Sequence, residues 1–170
     1  MSFLGSFFGH RDPYKKAFDP FWKRVNIYDG GEVFLRDLAV VPDAIRPLLV
    51  TQWVNSEVHN GGFAQLFFNS TGVLVPEAIA GFRTLGMPMI ADIVSAATTI
   101  FPMPYPRDRE QRLNLFDLPD KDEDGRVVFA RFAELTAPKL DLLDKTFWQI
   151  MAVENGVYTK AANRYAKSIQ

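Results

Sequence analysis

The chain has 170 residues, nineteen Lys and Arg against twenty Asp and Glu, a formal net charge of −1, and no cysteine. That length normally makes one domain with one core, and a 48% hydrophobic composition with fifteen Phe and three Trp furnishes it, which excludes a disordered chain. The missing cysteines exclude disulfides, thiolate nucleophiles and thiolate metal sites, and the near-neutral charge lacks the basic excess of a nucleic-acid binder, so direct nucleic-acid binding is not expected.

Residues 1–11 are expected to form an N-terminal tail and residues 12–170 a single helical domain. The tail is apolar through Gly9, but its charge follows at His10 and Arg11 instead of leading, unlike a signal peptide. No later apolar run reaches the roughly 18 residues of a membrane span, so no membrane association is expected and a cytoplasmic location is. Asp12-Pro13 opens a helix, with Asp12 expected to accept from its free N–H groups and Pro20 to break or kink it. After the turn Asp29-Gly30-Gly31, residues 32–38 are predicted as a short helix. Asp43 is expected to cap a longer helix with Ile45, Leu48, Leu49 and Trp53 as its inner stripe, ended by Asn60-Gly61-Gly62. Residues 63–68 form the next short helix, stopped by Asn69-Ser70-Thr71-Gly72, and Pro76 starts another. Residues 89–101 are predicted as a helix buried on most sides.

Four prolines between 102 and 119 deny a continuous helix there, although 107–116 has room for a few turns. Beyond Gly125 the helical period returns through Phe129, Phe132 and Leu135 to Pro138, then as a stripe of Leu140, Leu143, Phe147, Ile150 and Met151. After Gly156 comes a final basic amphipathic helix over 157–169. No strand alternation or internal repeat is present, so the predicted fold class is all-α, a single compact domain of seven to nine helices.

Charge is unevenly placed. Residues 108–124 hold seven acids (Asp108, Glu110, Asp117, Asp120, Asp122, Glu123 and Asp124) against three bases, whereas the last sixteen residues hold Lys160, Arg164 and Lys167 with no acid. Such segregation can steer a charged partner.

Chemistry finds little to work with. The two histidines, His10 and His59, stand far apart in sequence and outside any zinc-helix spacing, so no metal and no cofactor is expected. Asp120-x-Asp122-x-Asp124-Gly125 opens like a calcium loop, but the twelfth position, where the closing bidentate carboxylate belongs, is Arg131. No nucleophile elbow or phosphate loop is present. Glu57 lies four and eight positions after Trp53 and Leu49, so it projects on or beside the apolar stripe and needs donors there. The amides of residues 60–63 are expected to supply them, and Glu57, Asn60 and Asn69 to tie two helices together through side-chain-to-backbone bonds.

The segment Trp53-Val54-Asn55-Ser56-Glu57-Val58-His59-Asn60-Gly61-Gly62-Phe63-Ala64-Gln65-Leu66-Phe67-Phe68-Asn69-Ser70-Thr71-Gly72 resembles the signature of a bacterial family of helical domains whose named member is a DNA-mimic protein. More loosely, Leu142-Leu143-Asp144-x-x-Phe147-Trp148 is similar to that family's C-terminal element. His59 stands where the family has the first Asn of a pair. The resemblance implies an all-helical fold, homodimerisation and, for the named member, an acidic surface that imitates DNA phosphates. A net charge of −1 is not the acidic excess of a phosphate mimic unless the acids of 108–124 gather on one face.

The leading expectation is a non-enzymatic module that occupies a protein partner, a DNA-binding protein or a toxic enzyme, as inhibitor or immunity protein through the acidic segment. The motif residues Trp53, Glu57, Asn60, Gly61, Gly62, Phe63, Gln65, Asn69, Ser70 and Gly72 then serve structure. The alternative is an enzyme or small-molecule binder using Glu57, His59, Asn60 and Gln65. A third reading is DNA binding through Lys160, Arg164 and Lys167.

Overall fold

Among the residues described by the computed structural model, 12–118, 129–152 and 156–170, there are eight α-helices and no strand. They are α1 (Pro13–Trp22), α2 (Gly31–Leu38), α3 (Arg46–Phe68), α4 (Val75–Thr84), α5 (Pro88–Ala97), α6 (Arg109–Asn114), α7 (Phe129–Ala152) and α8 (Val157–Ser168), with 3-10 turns at Ile27–Asp29, Ser70–Leu74 and Thr98–Ile100. No described helix is long and apolar enough to cross a membrane. The predicted all-α class is what forms.

The central element is α3. It packs against α4 on one flank and α7 on another, and α1 also reaches it. The five successive residues Leu48, Leu49, Val50, Thr51 and Gln52 are all buried, which only a helix enclosed around its whole girth permits. The expected one-sided stripe is therefore too narrow, and its members Ile45 and Trp53 are only partly buried. Thr51 is accommodated because its hydroxyl donates to the Pro47 carbonyl at 2.6 Å.

Several local expectations need correction. Asp12 sits at the N-cap of α1, but its side chain accepts no N–H of that helix. Asn163 of α8 takes over: its Oδ1 accepts from the Tyr14 amide at 3.1 Å, while its Nδ2 donates to Asp12 at 3.2 Å. Pro20 does not break α1, since it lies on the exposed side and only two helical residues follow it. Asp43 does not cap α3 either. A turn held by the Ile45 amide on the Pro42 carbonyl intervenes, leaving Asp43 to pair with Arg46 at 2.9 Å.

In α5, Ile90, Ala91, Val94 and Ala97 face the core, but Met89 is 65% exposed, so one side of this helix remains wet. Pro138 does not interrupt α7, which runs unbroken past it with the ring on the exposed side. The buried row of α7 is Phe132, Thr136, Leu140, Asp144, Phe147 and Met151, and Leu135 points outward. An acid in that row is the unexpected member.

Candidate functional site

As the sequence predicts, the paired glycines end the first helical part of α3 and a second short helical part follows them, the two joined at a kink. Gly61 (φ −159°, ψ 28°) and Gly62 (φ 70°, ψ −174°) leave helical geometry, and the helix resumes at Phe63. Each glycine also makes room for a polar side chain. A Cβ on Gly61 would lie 2.1 Å from Gln65 Oε1, and one on Gly62 would lie 2.6 Å from Asp144 Oδ2.

Glu57 is held by three neutral donors from beyond the kink. Gln65 Nε2 donates to Oε2 at 2.8 Å, Asn69 Nδ2 to the same oxygen at 3.1 Å, and Thr71 Oγ1 to Oε1 at 2.8 Å. The backbone amides of 60–63, expected in this role, are not among these donors. Asn60 is exposed at the kink and ties nothing across it, so the bonds holding the two halves of α3 together run from side chain to side chain.

The Phe63 amide, first of the resumed helix, donates instead to Asp144 Oδ1 of α7 at 2.7 Å. Burial raises the pKa of Asp144, the Phe63 amide opposes that rise, and the neighbouring Asp141 adds to it. Two further contacts bind the same stretch of α7 here. Phe147 meets the Phe63 ring edge-on with centroids 5.6 Å apart, and Trp148 Nε1 donates to the Val58 carbonyl at 3.0 Å. The element 142–148 thus docks directly on the element 53–72.

The far end of α3 meets residues 105–112. Arg112 is fully buried, with Nε on the Phe67 carbonyl at 2.7 Å, Nη2 on the Asn69 carbonyl at 2.9 Å and Nη1 on the Pro106 and Arg107 carbonyls. Its pKa is lowered by burial. Arg109 Nε donates to the Phe68 carbonyl at 2.7 Å, and Tyr105 donates to the Gly72 carbonyl at 2.9 Å. Arg107 reaches the Val73 carbonyl and grips Glu77 through both terminal nitrogens at 2.8 and 2.9 Å. A cluster of guanidinium groups thereby serves the carbonyls that the end of α3 leaves unpaired, where the helix dipole is negative. Gly72 is required for this fit, because a Cβ there would lie 2.7 Å from Arg112 Nη2 and 2.9 Å from the Leu66 carbonyl.

Arg112 is buried, Arg107 and Arg109 are half-buried on the carbonyls they serve, and the acids of this stretch remain outside. Asp108, Glu110 and Asp117 are all exposed, Asp108 also capping α6 through the Gln111 amide at 2.8 Å. Asp120, Asp122, Glu123 and Asp124, and with them the calcium-like loop, lie outside the described residues. On α8, Lys160, Arg164 and Lys167 are exposed, and Arg164 donates to the Leu85 carbonyl at 3.3 Å.

Beside the kink opens a cleft of about 880 Å³ lined by Tyr28, Trp53, Glu57, Gln65 and Asn69 among others, with Ser70, His59 and Asn60 also on its wall. His59 Nδ1 is within 2.8 Å of the Asn55 carbonyl one turn back, and its ring meets Phe147. Glu57 and His59 make no hydrogen bond to each other.

The family model for DMP19-like proteins matches residues 40–169. The chain belongs to that family. The match takes in α3 through α8, hence both docked motif elements and the arginine cluster, and leaves α1 and α2 outside it. No curated protein and no solved structure matches the chain. Sequence reasoning missed Asp144, Tyr105, Arg107 and Arg112 as site residues. For Asp144 a signal existed: an acid within the apolar row that runs from Phe132 to Met151, inside the element that resembles the family pattern.

Proposed function

We propose that this DMP19-like chain is a non-enzymatic protein-binding module that presents an acidic face, centred on α6, to a basic partner protein. The observation behind this reading is the division of charge in residues 105–117. Arg107, Arg109 and Arg112 are spent on carbonyls and Glu77, whereas Asp108, Glu110 and Asp117 face water. The acidity offered to a partner is greater than the sequence count implies, because these cations are engaged by backbone carbonyls and Glu77, with Arg112 fully buried among them. Such a face suits a protein whose own ligand is polyanionic, in keeping with the DNA-mimic character of the family that the motif resembles.

The test is competition. A partner captured from the native host is expected to be displaced by duplex DNA and to be lost with Glu110→Lys, whose side chain makes no contact needed for folding. A partner whose binding ignores both added DNA and Glu110→Lys removes the acidic-face reading.

The enzymatic alternative has no arrangement to favour it, since three of the roughly four lone-pair sites of Glu57 are taken by Gln65, Asn69 and Thr71 and His59 is not among its partners. The same bonds leave a cleft with a definite hydrogen-bonding character.

A further inference from the structure

The cleft beside the kink is rich in acceptors, and Glu57 is the reason. Its carboxylate draws the amide nitrogens of Gln65 and Asn69 toward itself, at 2.8 and 3.1 Å, so the amide oxygens of both residues are left facing other directions. Neither oxygen accepts from any group among the described residues, while Asn55 Oδ1 and the Trp53 indole nitrogen, both buried behind the wall, also lack partners. Gly61 holds the arrangement open, because any Cβ there would displace the Gln65 oxygen. The negative charge of Glu57 is met by neutral donors alone.

Aromatic rings complete the wall. Trp53 is fixed by stacking on Trp22, with centroids 4.6 Å apart and planes at 9°. Tyr28 meets Trp53 edge-on at 6.5 Å, yet is itself 85% exposed, an unusual cost for a ring that serves only packing. Arg109, the arginine on this wall, already shows the preferred match: its guanidinium carbon lies 4.6 Å from the centre of the Phe68 ring.

We infer that the cleft binds a guanidinium group, seated against Tyr28 and Trp53 and donating to Glu57, Gln65 Oε1 and Asn69 Oδ1. A guanidinium has five N–H donors and no acceptor, is weakly hydrated, and stacks on aromatic faces, so it answers each feature of the wall. An ammonium is compact and strongly hydrated and uses the flat rings less well. An anion would meet the Glu57 carboxylate and the two amide oxygens, and the cation on the wall, Arg109, already donates to the Phe68 carbonyl and lies over the Phe68 ring. The inference goes beyond the acidic-face reading and does not depend on it, since it concerns a concave site built by α3 and not the outer side of α6. Two sources offer the group: a free small molecule, or an arginine side chain of a protein.

The experiment is an NMR titration of the full chain, following the side-chain amides of Gln65 and Asn69 and the indole N–H of Trp53. The probes are agmatine, a Gly-Arg-Gly tripeptide, and the same tripeptide carrying citrulline, a neutral urea of equal shape. Saturable shifts of these signals with the guanidinium probes are expected, with citrulline at least about tenfold weaker, the loss of one charge-assisted pairing. Tyr28→Ala, at an exposed position that leaves the fold intact, is expected to weaken binding at least about threefold through the lost cation–π contact. Glu57→Gln tests the carboxylate wherever its spectrum shows the native fold. Tighter binding of agmatine assigns a small molecule, and tighter binding of the tripeptide assigns a protein side chain. Unmoved signals with both guanidinium probes, equal affinity for citrulline, or unchanged affinity in Tyr28→Ala each overturn the inference.

Discussion

Asp144 Oδ1 lies 2.7 Å from the Phe63 amide nitrogen, so a carboxylate of α7 caps the helix that restarts after the α3 kink, 81 positions earlier in the chain. The bond solves a problem that the kink creates. A helix that resumes in the core has fresh N–H groups with no carbonyl behind them. Asp144 supplies the acceptor from a neighbouring helix, and Gly62 leaves the space it needs.

Asp144→Ala removes that acceptor and leaves the buried Phe63 amide without a partner, so a loss of about 1–3 kcal/mol is expected in denaturant unfolding. Asp144→Asn keeps an oxygen in place and should cost less than Asp144→Ala. Equal midpoints for the alanine variant and the wild type would show that the bond contributes nothing.

The pH dependence follows from the same residue. Its pKa is higher folded than unfolded, so between the two values the folded state holds more protons, and stability falls as pH rises through that window. The wild type should therefore lose stability relative to Asp144→Asn on going from about pH 4, near the unfolded carboxyl value, toward neutrality. A difference that stays constant, or grows in favour of the wild type, contradicts the assignment.

The two glycines should respond differently. Gly62→Ala is strained twice, by φ of 70° and by the Asp144 carboxylate 2.6 Å from the new Cβ, and should cost about 1–3 kcal/mol. Part of that cost should vanish in the Asp144→Ala background, a coupling that a double-mutant cycle measures. Gly61 has an extended φ of −159° that any residue adopts, so Gly61→Ala carries no such strain and no coupling to Asp144, but it pushes the Gln65 amide off Glu57 and crowds Gln65 Cβ at 2.9 Å, at about 1–3 kcal/mol.

Arg112 is the severest site. Its fully buried guanidinium serves the Phe67 and Asn69 carbonyls among others, and Arg112→Met orphans them, at about 3 kcal/mol or more. Arg112→Lys should recover little, because a compact ammonium cannot reach carbonyls spread around a planar fork. Thermal unfolding of the two variants beside the wild type decides the matter.

Much of this protein is local, and local features are legible in order. The all-α class, the start of α1 at Asp12-Pro13, the turn before α2, the Pro76 start of α4 and the glycines of the α3 kink all follow from dihedral preferences and apolar spacing, which act between residues a few positions apart. Even the importance of Glu57 is visible, as an acid beside an apolar stripe.

What sits opposite each of those residues was settled only when the chain closed on itself. The amides of 60–63 are the nearest donors to Glu57 in sequence, but in the fold the Phe63 amide donates to Asp144 and Gln65, Asn69 and Thr71 serve Glu57. Residues 105–112 read as an irregular, proline-interrupted and acidic stretch, and no spacing rule says that its arginines turn to the end of α3 while its acids stay out. The reason is physical. Dihedral preference and periodicity are fixed by covalent neighbours, whereas a buried donor or acceptor takes whatever complementary group the packing of distant helices delivers to it.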